Sequence, residues 1–179
     1  MNPVAACIGE TYDDCAAKLR GRGFKEDKSP RKPPLDMKKL GMADVRVPPP
    51  SLDRVPTCYV FEKDGLTVSI MPLPIAVAKV EVYFRASIPS EAVEVLLEQY
   101  SGVPNWTVRT LPDRSFRDHF PYFNERDRSN SFYAAKGVVA LVQKGVIMGK
   151  LVLWIQTDDY HSQFRDYRDK RKKAAPNVK

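Results

Sequence analysis

The chain has 179 residues, 43% hydrophobic and 28% charged, which is enough apolar material for one domain with a buried core and too much for wholesale disorder. Its formal charge of +7 is unevenly placed: Arg165 to Lys179 carries +5, Arg22 to Val47 carries +4, and the remainder sums to −2. No apolar run approaches the ~18 to 20 residues of a membrane-spanning helix, because the longest candidate, Gly137 to Ile155, is broken by Gln143, Lys144 and Lys150; an integral membrane protein is not expected.

Met1 to Ala6 has neither a basic n-region nor an apolar h-region. Two readings follow, a cytoplasmic chain or the mature form of an exported one. Thr11 to Arg20 is predicted as a short helix: the Thr11 hydroxyl can accept the backbone N–H of Asp14, and Gly21 and Gly23 end it. Tyr12, Cys15, Ala16 and Leu19 give it one narrow apolar stripe for docking on a sheet. Phe24 to Pro56 holds seven prolines and no sustained apolar periodicity, so it is predicted as a basic connection or arm.

From Thr57 the period changes to two. Cys58, Val60, Leu66, Val68 and Ile70 alternate with polar neighbours around Asp64-Gly65, a hairpin signal, and Val80, Val82 and Phe84 continue the meander. Ser90 is placed to cap a second helix through Tyr100, with Val93, Leu96, Leu97 and Tyr100 as its apolar stripe and Gly102 as its stop. Trp106 to Leu111 is predicted as a short strand and Pro112 to Asn130 as a long polar and aromatic loop. Ser131 to Lys136, Val138 to Gln143 and Lys150 to Thr157 are predicted as the closing strands. The fold class that follows is α+β, an antiparallel sheet with two helices packed on one face. A helix followed by strands occurs twice, which hints at a duplicated helix-plus-strands unit, although the two halves are not visibly alike in sequence. The expected divisions are an N-terminal helix of the core over 1–23, the proline-rich arm over 24–56, the main body over 57–164 and a basic C-terminal tail over 165–179.

The segments "IGETYDDCAAKL", "YVFEKDGLTVSIM", "VEVYFR", "NWTV" and "KLVLWIQT", with a helix between the third and fourth, resemble small exported bacterial proteins of unknown function. Their helix-plus-meander layout is similar to the small outer-membrane lipoprotein A and to β-lactamase-inhibitor-like modules. The likeness covers about half the chain and lies outside the proline arm and the Pro112 to Asn130 loop; no lipobox accompanies it. It implies a protein-binding or assembly role outside the cytoplasm, with no catalytic residues to carry over.

Three groups of residues are candidates for function. The loop joins Arg114, Arg117, Arg126 and Arg128 to Phe116, Phe120, Tyr122 and Phe123, planar and weakly hydrated groups suited to a protein hot spot or to base stacking. Asp113, Asp118, Glu125 and Asp127 nearly balance those arginines, which favours the protein contact; the alternative is that the aromatics cap one end of the core. Arg168, Lys170, Arg171, Lys172 and Lys173 can contact a polyanion, or serve only as a solvated tail. Asp158, Asp159 and His161 can orient an imidazole or hold a metal, although such a trio is common in exposed turns. No dinucleotide, P-loop, hydrolase-elbow or zincin motif is present. Cys7 and Cys15 are spaced to close a bridge onto the first helix, with free buried thiols as the alternative, and Cys58 reads as a small core residue.

The function read from these features is a non-enzymatic interaction or assembly protein whose partner is another protein, without cofactor. A nucleic-acid-associated accessory protein, contacting its ligand through the tail, and a small enzyme with a site near His161 are the alternatives.

Overall fold

The computed structural model describes residues 7–27, 58–73, 76–86, 88–124, 126–145 and 151–174. Helix α1 (Tyr12–Gly21) starts where Thr11 accepts the Asp14 N–H at 3.2 Å, and buries Cys15, Ala16 and Leu19. A short strand β1 (Lys25–Asp27) pairs antiparallel with β2 (Tyr59–Lys63), which turns at Asp64-Gly65 into β3 (Leu66–Pro72) and then β4 (Val77–Phe84). Both turn residues have positive φ, 47° and 78°, the conformation a two-residue hairpin requires and glycine adopts without strain. A 3-10 turn (Ser90–Ala92) leads into α2 (Val93–Ser101), which Gly102 closes in the left-handed region. The remaining elements are β5 (Thr107–Arg109), α3 (Phe116–His119), β6 (Asn130–Ala135), β7 (Val138–Lys144), β8 (Leu151–Thr157) and α4 (Tyr160–Ala174).

The eight strands form one open antiparallel sheet in the order β1-β2-β3-β4-β8-β7-β6-β5. The order is the same counted from either edge: β1 to β4 follow α1, β5 to β8 follow α2 with α3 between β5 and β6, and the two sets meet where β4 pairs with β8 (Val80 opposite Ile155, Val82 opposite Leu153). The α+β class and the antiparallel sheet are as the sequence pattern indicates.

Alternation along the strands sends successive side chains to opposite faces. Val68, Ile70, Val80, Val82, Ala140, Val142, Leu153 and Ile155 share one buried cluster with α1 residues Cys15, Ala16 and Leu19 and α2 residues Val93, Leu97 and Tyr100. The Cys7 and Cys15 sulfurs are bonded to each other inside this cluster, so the segment before α1 is fastened to the helix; Cys58 is half-buried and belongs to no disulfide. Alternate residues build two further clusters. Phe116 and Phe120 pack on Phe132, Val139 and Leu141 with Trp154 alongside, and Tyr160 packs on Leu73 and Ala78 with Met71, Phe164 and Tyr167 alongside. Strand β7 is therefore buried on both faces from Val138 to Gln143, which accounts for its unbroken apolar run.

Four features differ from the sequence expectation. Lys25–Asp27 is a strand although it lies in the segment assigned to the proline-rich arm; three charged residues carry no alternation, and edge position rather than burial explains them. Residues 28–57 lie outside the described residues, and with them most of that arm. Ser90 does not cap α2: its hydroxyl accepts from Lys144 Nζ at 2.8 Å, and the residue before α2, Ala92, offers no side-chain cap. The long loop contains the one-turn helix α3, and α4 runs unbroken across the expected boundary at residues 164 and 165 with Tyr167 packed against the body, so the tail begins as a docked helix. The side chains of Arg168, Lys170, Arg171, Lys172 and Lys173 lie outside the described residues.

Candidate functional site

On the sheet face opposite the side chains of Val80, Val82, Leu153 and Ile155, strand β4 presents Lys79, Glu81 and Tyr83, and β8 presents Trp154 and Gln156 beside them (Lys79 opposite Gln156, Glu81 opposite Trp154). Lys79 Nζ lies 2.7 Å from Glu81 Oε1 and stands over the rings of Trp154 and Tyr160, at 5.1 Å and 5.7 Å from their centroids. Tyr83 donates its hydroxyl hydrogen to Glu81 Oε2 at 3.0 Å. Burial, followed by the Glu81 charge and that hydrogen bond, pushes the Tyr83 phenol far above its ordinary value, and burial does the same for Tyr160. Both phenols stay neutral over the physiological range.

The loop between β5 and β6 leans over this patch. Its aromatic residues divide: Phe116 and Phe120 are buried against Phe132, whereas Phe123 is half-buried edge-on to Trp154 with ring centroids 5.2 Å apart. Tyr122 points outward with 92% of its surface exposed. Phe116 and Phe120 are thus occupied in the core, and Tyr122 and Phe123 are the two aromatics of the four that face the outside.

Both ends of the Phe120–Phe123 apex are pinned. On one side the His119 carbonyl accepts from Gln156 Nε2 at 2.8 Å, and His161 Nε2 lies 2.7 Å from the same oxygen. A carbonyl only accepts, so His161 carries a proton on Nε2. On the other side the Asn124 carbonyl accepts from Asn130 Nδ2 at 2.9 Å; Gln143 Nε2 donates to Asn130 Oδ1 at 2.9 Å, and Trp154 Nε1 donates to Gln143 Oε1 at 3.1 Å. The sheet therefore holds the carbonyl before Phe120 and the carbonyl after Phe123 through separate hydrogen-bond chains.

Between the apex, β4, β8 and the first turns of α4 lies a cleft of about 220 Å³, walled by Phe120, Phe123, Trp154, Tyr160 and Phe164 and reached by Lys79, His119 and His161. Burial holds the His119 imidazole below its ordinary value; Asp158, Asp118 and Asp113 pull it up, His161 pushes it further down, and burial prevails.

Arg114, Arg117, Arg126 and Arg128 are exposed along the same loop, where Asp113, Asp118 and Asp127 offset them; Glu125 lies outside the described residues. Asp113 and Asp127 are held below the usual carboxylate range by hydrogen bonds from Ser115 and Ser129, the turns that shape the loop. His161 faces the cleft through the His119 carbonyl, and no set of three or more His, Cys, Asp or Glu side chains among the described residues is arranged to hold a metal ion. Lys79, Gln143, Trp154 and Gln156 were not singled out by the sequence, although Trp154 and Gln156 alternate out of register with Leu153 and Ile155 and so belong to the other face.

Comparison of the chain with protein-family models, with curated proteins and with solved structures finds no match. Nothing in those comparisons or in the described residues points to enzymatic activity. Among the described residues no helix is long and apolar enough to cross a membrane.

Proposed function

We propose that this chain is a non-enzymatic protein-binding module whose contact surface is centred on Tyr122 and Phe123 at the mouth of the aromatic cleft. The observation that carries this reading is the presentation of Tyr122, 92% exposed, on an apex whose two flanking carbonyls are hydrogen-bonded to sheet and helix side chains. An exposed aromatic on a fixed support loses little conformational freedom when a partner closes over it, which is the circumstance in which such side chains dominate binding. The exposed arginines around it are nearly matched by aspartates, so hydrophobic area rather than net charge is the surplus of this surface.

The arrangement supports a finer reading of the architecture: two copies of a helix-plus-four-strand unit, with α1 and α2 on one face, the aromatic loop and α4 on the other, and the cleft between loop and α4 left to partners. The symmetric strand order is the support for it. It also fits the resemblance to exported lipoprotein A-like and β-lactamase-inhibitor-like modules, and the bonded Cys7–Cys15 pair suits an oxidising compartment.

The test compares proteins cross-linked to the native chain with those cross-linked to Tyr122→Ala and Tyr122→Ala/Phe123→Ala variants. The expected result is loss of a discrete partner, with binding weakened by about 2 kcal/mol or more, and little change between low and moderate salt. A partner retained by the folded double variant, or one lost steeply with added salt, overturns the reading in favour of phosphate-type contacts.

A further inference from the structure

The cleft behind Tyr122 carries information about what enters it. This step rests on the protein-binding reading above and adds the chemistry of the inserted group. We propose that the cleft receives one aromatic side chain of the partner, flanked by a carboxylate that reaches Lys79 and the histidine edge.

Size is the first constraint. About 220 Å³ is below the usual range of a small-molecule site, roughly 300–1,000 Å³, and corresponds to a single ring with a short polar substituent. The walls come next. Trp154 and Phe123 stand edge-on at 5.2 Å, and Tyr160 and Phe164 stack at 6.2 Å, so an entering ring meets both faces and edges of other rings, the geometries that aromatic pairs prefer.

Charge decides the rest. Among the described residues, the titratable side chains reaching the cleft are Lys79, His119, His161 and Tyr160, together with Tyr122 at its rim, and no carboxylate of theirs lines it. A cationic guest is disfavoured because the Lys79 ammonium already lies over the rings of Trp154 and Tyr160, the faces such a guest would use. Lys79 gives Glu81 Oε1 one contact, at 2.7 Å, and an ammonium has three N–H donors. Glu81, which also accepts from Tyr83, fixes the position of Lys79 and leaves it able to donate to an incoming carboxylate. The apex is held in place by its two chains of hydrogen bonds, so the cleft is formed before the guest arrives.

The experiment uses the full chain labelled with ¹⁵N and three blocked peptides: Gly-Asp-Phe-Glu-Gly, Gly-Lys-Phe-Lys-Gly and Gly-Asp-Ala-Glu-Gly. The readout is the indole N–H resonance of Trp154, with that of Trp106, buried in the other cluster, as internal reference. The acidic phenylalanine peptide is expected to shift the Trp154 signal saturably and leave Trp106 unmoved, the basic and alanine peptides to shift it little. Lys79→Met is expected to weaken the acidic peptide about tenfold, the size of one lost charge-assisted hydrogen bond, and Phe164→Ala to weaken it while leaving Lys79 in place. Equal or tighter binding of the basic peptide overturns the proposal, as does saturable binding of the alanine peptide or no Trp154 shift with any peptide at millimolar concentration. These outcomes depend on the unaltered chain alone and so hold whether or not either variant folds. If Tyr122→Ala still releases the cross-linked partner while the acidic peptide fails, the protein-binding reading stands and the guest chemistry falls. A peptide that binds at Trp154 while the partner ignores Tyr122 and Phe123 gives the converse.

Discussion

Asn130 and Gln143 are amides placed where an alternating strand pattern would put apolar side chains, and both are buried. Each is satisfied through the other: Trp154 donates to Gln143, Gln143 to Asn130, and Asn130 to the Asn124 carbonyl. A buried polar chain of this kind is stabilising only while every member is paired. Asn130→Ala removes the middle of it and leaves the Gln143 amide hydrogen without its acceptor and the Asn124 carbonyl with the Asp127 N–H alone, so a loss of about 2 kcal/mol in urea unfolding is expected. Gln143→Leu keeps the volume but leaves the Trp154 indole N–H and Asn130 Oδ1 without partners, so a comparable loss is expected, and by releasing Asn130 it should broaden the amide resonances of Phe120 and Tyr122 to Asn124. An unchanged loop spectrum in both variants would show that the apex is fixed by its phenylalanines instead.

Burial lowers the pKa of His119 in the folded chain below the ordinary value of 6.5, against the upward pull of Asp158, Asp118 and Asp113. Between the folded pKa and 6.5 the unfolded chain therefore binds more protons, and stability rises with pH there. The contribution is complete above 6.5 and is lost as pH falls through the folded value. His119→Gln should flatten the change in melting temperature between pH 7.5 and 5 without moving the Gln156 and His161 hydrogen bonds, which are made to its backbone oxygen. A pH profile identical to that of the unaltered chain would assign the titration elsewhere.

At the scale of elements, the sequence announces those that follow a repeating pattern. The Asp64-Gly65 hairpin, the Thr11 cap, the Gly102 stop and the alternation through Val80 and Val82 each depend on a local rule, and the structure realises each of them. Lys25–Asp27 obeys no such rule, because a three-residue edge strand is held by its neighbour's backbone and not by its own side chains. The aromatic loop is legible only in part. Phe116 and Phe120 sit four apart on one turn of helix, a spacing compatible with burial, but their destination over Phe132 and Leu141 depends on strands twelve or more residues away. Helix α4 shows the same limit: Tyr160, Phe164 and Tyr167 fall at i, i+4 and i+7 inside a stretch dominated by charge, and the charge reads as a tail. A tail can be removed without thermal consequence, whereas a docked helix cannot. Deleting residues 165–179 removes Tyr167 from the patch around Leu73 and Ala78, and Tyr160→Ala removes the ring that fills it. The deletion should lower the melting temperature, and Tyr160→Ala should cost about 3 kcal/mol, the scale of a buried aromatic truncated to alanine. A deletion with the melting temperature of the intact chain would return 165–179 to the status of a solvated tail.

At the scale of the molecule, the feature that matters is the seam between β4 and β8. The first half of the chain ends its meander at β4 and the second at β8, and the two last strands pair antiparallel through Val80 with Ile155 and Val82 with Leu153, all four buried. The main buried cluster draws on both halves, with Leu19, Val68 and Val80 from the first and Leu97, Leu153 and Ile155 from the second. Separated, each would expose one long apolar strand edge, the liability that closed or covered sheets avoid. Cutting the chain between β4 and α2 and preparing residues 1–87 and 88–179 separately tests this directly. Each half alone is expected to show no cooperative melt and to associate nonspecifically. Mixed in equal amounts they should recover one cooperative transition and the antiparallel circular dichroism of the intact chain, because every strand ladder except the central one is local to a half. A half that melts cooperatively as a monomer would show that the seam joins two finished domains. Recovery that fails despite soluble halves would instead mean that the covalent link supplies part of the pairing free energy, as loop closure does when two weakly associating pieces are held at high effective concentration.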